Sequence, residues 1–196
     1  DLPFAVNEFR TRVKHVQQEM ERRGIAVLML NHLENIYYLS GFRTIGYYSF
    51  MALFVPVSGD PVHLTRLIEK TTLQGTSWIA DREFYPDTEN YMDACVRVIN
   101  ARGWSDARIG IDKAAWYLTI EDYERLTARL PKAKLVDGSM ICENLRLIKS
   151  SAEQVYSRNA GKAASEGMRS ALAALRAGIT EDDLMAAAYQ GLFKMH

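Results

Sequence analysis

The chain has 196 residues, 48% hydrophobic and 24% charged, with 24 Lys and Arg balanced by 24 Asp and Glu. That length holds one domain of ordinary size plus part of a second, at ordinary globular composition. Neutrality gives no electrostatic reason to expect nucleic acid or an acidic membrane surface as partner. No apolar run approaches the ~20 residues of a transmembrane helix, and no signal-peptide pattern opens the chain.

In chain order, Phe9, Val13, Val16 and Met20 recur at spacings of three and four and predict an amphipathic helix closed by Gly24. Ile25 to Leu30 is a short continuous apolar run, the pattern of a buried strand. A turn with a helical stub follows over 31–41. Phe50 to Val57 and Val62 to Leu64 form a predicted hairpin about the turn Ser58-Gly59-Asp60-Pro61. Leu67 to Leu73 is a weak helix and Trp78-Ile79 a short strand. Asn90 to Ala101 is a helix with Met92, Cys95, Val96 and Ile99 on one face, ended by Gly103. Arg108 to Asp112 is a strand, Ile120 to Leu130 a helix stopped by Pro131, and Lys134 to Val136 a further strand. Strands alternating with helices imply an α/β layer architecture, and the hairpin makes the sheet mixed. The first domain is expected to end near Asp137.

Residues 150–176 change character. They are rich in Ala, with Met168, Ala171, Leu172 and Leu175 as a helical stripe. Gly178 stops that helix, and Thr180 opens another with Asp183 placed to bond back. The acidic trio Glu181, Asp182 and Asp183 suits a helix start. The helical pattern still runs at Met195 and His196, so a longer protein is expected.

Few residues offer chemistry. Cys95 and Cys142 lie far apart in apolar-periodic stretches and fit buried reduced thiols of a cytoplasmic protein. His15, His32, His63 and His196 show no HxxxH or HExxH spacing, and no GxSxG elbow or phosphate cradle is present. The exception is Gly41 to Phe50 (GFRTIGYYSF), an Arg and several aromatics between bend-permitting glycines, as on recognition loops. The competing reading is that Tyr47, Tyr48 and Phe50 begin the next strand and pack.

Three motifs together resemble one family. Asn35-Ile36-Tyr37-Tyr38-Leu39-Ser40-Gly41-Phe42 resembles the N-I-x-Y-L-T/S-G-F segment of the creatinase/prolidase N-terminal domain. Leu145 to Ser150 with Glu153, Arg158 and Ala160 resembles its interdomain linker. Ala177-Gly178-Ile179-Thr180-Glu181 resembles the P-G-x-T-E turn early in its catalytic domain. The resemblance implies a mixed β-sheet with helices on both faces over residues 1–137. A linker over 138–149 then leads to the first helices of a truncated pita-bread catalytic domain over 150–196.

In the family's peptidases, two Asp, one His and two Glu hold two divalent metal ions (Mn²⁺, Co²⁺ or Zn²⁺) that activate a bridging water. Those ligands lie beyond residue 196 in the family's layout. No catalytic residue, metal ligand or cofactor is therefore expected in this chain, and these residues alone are expected to be inactive. The implied activity is that of an Xaa-Pro aminopeptidase or dipeptidase. The alternatives are a small-molecule amidinohydrolase of creatinase or ectoine hydrolase type, or a non-catalytic binding or oligomerisation module. Phe84-Tyr85-Pro86-Asp87 ahead of Arg102-Gly103-Trp104 is similar to the ectoine hydrolase layout. In creatinase the loop matching 41–50 lends a Phe and an Arg to a neighbouring subunit's substrate. An ungapped match puts Tyr47 at the Phe and Ser49 at the Arg, which counts against creatine. Arg43, Tyr47 and Tyr48 are the expected substrate-binding residues, directed toward a partner subunit of a homodimer. The expected partners are a peptide or small-molecule substrate, with no nucleic acid and no membrane.

Overall fold

The computed structural model describes residues 2–195, and the chain divides into two compact units, 1–147 and 148–196. His196 lies outside the described residues. No helix among these is long and apolar enough to cross a membrane.

The first unit is a six-stranded mixed sheet flanked by helices, and it begins with α1 (Val6–Arg23). Phe9, Val13, Val16 and Met20 are buried along one stripe, and Gly24 ends the helix in the left-handed conformation at φ 64°. β1 (Val27–Leu30) follows, then α2 (Leu33–Ser40), which ends on a left-handed Gly41. β2 (Ala52–Pro56) and β3 (Val62–Arg66) form the antiparallel hairpin, with Leu53 opposite His63. A 3₁₀ turn (Leu67–Glu69), α3 (Lys70–Thr76), β4 (Asp81–Tyr85), α4 (Tyr91–Ala101), β5 (Arg108–Ile111), α5 (Ile120–Arg129), β6 (Lys134–Asp137) and α6 (Ile141–Leu147) complete the unit.

The strand order is β4-β3-β2-β1-β5-β6. β1 runs antiparallel to β2 and parallel to β5, while β3–β4 and β5–β6 are parallel pairs. Two cores lie on opposite sheet faces. Val27, Met29, Phe54, Ile109 and Ile111 pack with Met92, Cys95, Val98 and Ile99 of α4 and Leu126 of α5. Leu28, Leu30, Leu53 and Val55 pack with Val13, Val16 and Met20 of α1, Ile36 and Leu39 of α2, Leu73 of α3, and Ile141 and Cys142 of α6. Alternation along β1 sends successive side chains to opposite cores. Both cysteines are free and buried, and burial pushes both thiols up in pKa.

Several expectations need correction. Trp78 and Ile79 form no strand. Trp78 instead donates its indole N–H to Leu39 O (2.8 Å) and its backbone N–H to Ser40 O (3.3 Å), so it braces the end of α2. The strand begins at Asp81, where a mostly charged segment lies parallel to β3. Its exposed side is tied by Arg102 to Asp81 and Glu83, and the Arg102 hydrogen bond holds the Asp81 carboxyl below its ordinary range. The stretch expected as a linker contains α6, which buries Ile141 and Cys142 in the first unit's core.

The second unit is a pair of helices, α7 (Ser151–Ala174) and α8 (Glu181–Phe193). Both start with capping boxes, Ser150 with Glu153 and Thr180 with Asp183. They approach through glycines, since a Cβ on Gly167 would stand 3.1 Å from Ala188 O and one on Gly191 would strike Ser170 Oγ. Met168, Leu172 and Leu175 of the helical stripe are exposed, as are Met185, Tyr189 and Phe193.

Two outcomes test this packing. A Cβ on Gly138 would lie 2.5 Å from Leu28 Cδ1 and 3.1 Å from the Gly110 carbonyl carbon, in a corner where Leu28 is fully buried. Gly138→Ala is expected to lower stability by about 1–3 kcal/mol in urea unfolding. His63 is fully buried against the Phe42 ring (4.9 Å), and neither ring nitrogen has a hydrogen-bond partner among the described residues. Burial, with a smaller contribution from Arg82, pushes its pKa down to about 3. Below about pH 6.5 the unfolded imidazole takes up a proton that the folded one refuses, so stability falls as pH falls through that window. The loss is at most on the order of 5 kcal/mol. His63→Leu is expected to flatten the stability profile between pH 6.5 and 4.5, measured by urea unfolding.

Candidate functional site

Strand direction gathers the chemistry-bearing loops on one rim of the sheet. β1, β3, β4, β5 and β6 all end there, and antiparallel β2 begins there, since Leu30 pairs with Leu53 and Ala52 with Leu64. The 41–51 loop enters β2 at this rim. Chain leaving β1 goes to α2, in the core with Leu28. Chain leaving its parallel neighbour β5 goes to α5, in the opposite core. Adjacent parallel strands whose continuations diverge leave a crevice at their carboxyl ends, where ligands of open α/β sheets bind.

The 41–51 loop is held at its root and open at its tip. Phe42 is buried, and Phe50 stacks on Tyr91 (4.5 Å) while its carbonyl accepts from the Tyr85 hydroxyl (2.6 Å). In the middle, Thr44 donates its hydroxyl to Glu69 Oε2 (2.8 Å) and accepts from Gly46 N–H (2.8 Å). Gly46 fits beneath Glu69, and any Cβ there would strike Glu69 Oε1. Between these anchors Tyr47 is 56% exposed and Tyr48 74%, their rings edge to face at 6.0 Å. Ile45 is exposed as well. The two tyrosines therefore do not open β2, which starts at Ala52.

Arg43 is exposed and has no ion-pair partner among the described residues. It lines one depression with Tyr37 and Phe42 and another with Ile45 and Ile68. Ser49 is turned inward, and its hydroxyl accepts from Arg66 (2.9 Å). Arg66 also grips Asp87 through two bonds of 2.9 Å, which holds the Asp87 carboxyl below its usual range.

Two features of this rim were missed in the sequence. One is aromatic: Trp116 is 70% exposed after β5 and packs on Tyr117 (4.0 Å). Burial raises the Tyr117 pKa, with added contributions from Glu34 and Tyr47. The other is polar: His32 Nδ1 lies 3.0 Å from Asp112 Oδ2 and 3.8 Å from Glu143 Oε1. Asn35 Nδ2 donates to Glu143 Oε1 (2.6 Å) and lies 3.5 Å from Asp112 Oδ2, and Arg146 donates to Asn35 Oδ1 (2.9 Å). Separations of 80 and 111 positions hid this grouping from any spacing rule.

Fold and rim together describe an α/β domain whose loops collect at the carboxyl edge of a mixed sheet. Residues 12–148 match the Creatinase/Prolidase N-terminal domain family, and the chain belongs to that family. It is 28% identical to an ectoine hydrolase of Halomonas elongata, covering 96% of this chain and 50% of that protein. It is 26% identical to a creatinase of a Bacillus species, covering 91% of this chain and 43% of that protein. An Xaa-Pro dipeptidase from Bacillus anthracis superposes with a TM-score of 0.75 at 16% identity, over 95% of this chain and 49% of that one, and shares the fold. The chain spans about half the length of these relatives.

If Glu69 holds the loop as its bonds indicate, Glu69→Ala frees Thr44, and limited trypsin digestion cuts faster at Arg43. An unchanged rate would show that the root alone fixes the loop.

Proposed function

We propose that these residues belong to a hydrolase of peptide or amide-like C–N bonds, with Xaa-Pro peptides as default substrates. In this reading the 41–51 loop closes the substrate end of a pocket in a second copy of the protein. The observation that carries it is a loop anchored by Thr44, Glu69 and Phe50 that nonetheless presents Tyr47 and Tyr48 to solvent. Rings held on a rigid scaffold and left uncovered match a recognition surface, because ordering costs are already met. Tyr47 and Tyr48 would supply apolar contact and hydroxyl hydrogen bonds to substrate, and Arg43 a positive charge for a carboxylate.

Residues 150–196 are read as the first helices of the catalytic domain. The exposed apolar side chains of α7 and α8 support this, since uncovered stripes of that size call for further packing partners. The pair of divalent metals that the family implies does not fit the residues here. The Asp183 carboxylate is engaged by the backbone N–H and hydroxyl of Thr180, and the acidic trio stands exposed on successive positions. No step through such a centre is derived from this chain, and its ligands are proposed to lie outside this sequence.

A small-molecule amidinohydrolase is the second reading, favoured by the likeness to the ectoine hydrolase over most of this chain. Creatine itself is disfavoured. Ser49 is turned inward, and the nearby Arg66 is already committed to Asp87, so no guanidinium is free at that position.

In the protein that includes its catalytic half, Tyr47→Ala is expected to raise KM about tenfold or to change the preferred substrate in a panel of Xaa-Pro dipeptides and cyclic amidines. Unchanged kinetics across the panel would sink the assignment of the loop.

A further inference from the structure

We propose that His32, Asp112 and Glu143 form a binding site for one divalent transition-metal ion of the Zn²⁺ or Mn²⁺ class, at the carboxyl ends of β1 and β5. This does not rest on the hydrolase reading. Three elements supply the groups. His32 follows β1 at the N-terminus of α2, Asp112 follows β5, and Glu143 stands on α6. Their ligand atoms all lie within 4.8 Å of one another, the group among the described residues with that property. An ion about 2.0–2.2 Å from its N and O ligands keeps adjacent ligand atoms roughly 3–3.6 Å apart. The two separations from His32 Nδ1, 3.0 Å and 3.8 Å, stand near that range, and the Asp112–Glu143 separation is within 4.8 Å. One imidazole and two carboxylates are a donor set of the borderline-to-hard kind that Zn²⁺ and Mn²⁺ accept.

One carboxylate oxygen of the group, Glu143 Oε2, has no donor among the described residues, which is an independent reason to place a cation here. Asp112 is 1% exposed in its side chain; its Oδ1 accepts from Ala114 N–H (3.2 Å), and among the described residues its Oδ2 is approached by the His32 ring and the long Asn35 contact. Glu143 Oε1 has one short donor, Asn35, and its Oε2 is buried without a hydrogen-bond partner. Buried acceptors without donors are rare in native folds and call for a bound ion or water. Arg146 makes no ion pair with the two carboxylates among the described residues. It binds Asn35 Oδ1 and so turns the Asn35 amide N–H groups toward them, the arrangement of an outer shell that orients ligands. A bound ion would tie α2 and α6 to the ends of two adjacent strands, and its binding free energy would add to the stability of the first unit.

The 196-residue chain, stripped with a chelator, is titrated with Zn²⁺ and with Mn²⁺ by calorimetry, and its thermal unfolding is followed with and without metal. One equivalent should bind and raise the Tm. Glu143→Gln and His32→Ala should each weaken binding by about tenfold or more, while Asp182→Asn on α8 leaves it unchanged. Co²⁺ loading should give visible d–d absorption bands that His32→Ala shifts or abolishes. Glu143 is partly exposed, so Glu143→Gln keeps the test decisive should His32→Ala fail to fold. Absence of binding at millimolar metal would overturn the proposal. So would binding that survives Glu143→Gln and His32→Ala but is lost in Asp182→Asn.

Discussion

The burial of β1 on both faces is the constraint from which the rest of the first unit follows. Its four residues are almost wholly removed from water, Leu28 and Leu30 into one core and Val27 and Met29 into the other. Each such side chain stabilises the fold by about 1.5–3 kcal/mol. A strand of this kind must be central and must carry helices on both sides. It also joins the antiparallel half of the sheet, β2 and β3, to the parallel half, β5 and β6. Removing its apolar contacts would separate both cores at once.

The orientation of the strands around β1 then decides where chemistry can gather. Because β2 is antiparallel, its entry loop falls beside the exits of β1 and β5. One rim therefore holds the tyrosine loop, the Arg66–Asp87 pair, Trp116 with Tyr117, and the His32–Asp112–Glu143 cluster. The aromatic loop and the polar cluster are held in different ways. Thr44, Glu69 and Phe50 fix the loop by local bonds and stacking, leaving its tip to solvent. Asn35 and Arg146 fix the cluster by bonds between elements far apart in sequence. The first arrangement suits recognition of a molecule from outside, the second suits an inner ion.

The two units differ in how complete their packing is. The first closes two cores. The helices of the second are well capped and fit together at glycines, yet they leave Met168, Leu172, Met185 and Phe193 exposed. Membership of the Creatinase/Prolidase N-terminal domain family accounts for the first unit. The fold does not choose among peptides, creatine-like or ectoine-like substrates, since one architecture hosts several activities.

Local patterns were legible in the sequence. The spacing of Phe9, Val13, Val16 and Met20, the run Ile25 to Leu30, the Ser58–Pro61 turn, the stop at Gly24 and the Thr180–Asp183 cap all act over a few residues, so neighbouring side chains determine them. The family motifs were legible for the same reason. The strand at Asp81 was not, because its charged residues are stabilised by Arg102, 21 positions from Asp81, rather than by periodicity. Nor was α6, whose seven residues are helical because Ile141 and Cys142 find a core supplied by α1 and β1. The sequence by itself determined which segments could be buried, and that an aromatic loop would follow α2. Only the tertiary structure decided that Tyr47 and Tyr48 stay exposed while Ser49 turns inward, and that His32, Asn35, Asp112 and Glu143 meet. These outcomes depend on strand order and direction, which bring together groups that no local spacing relates.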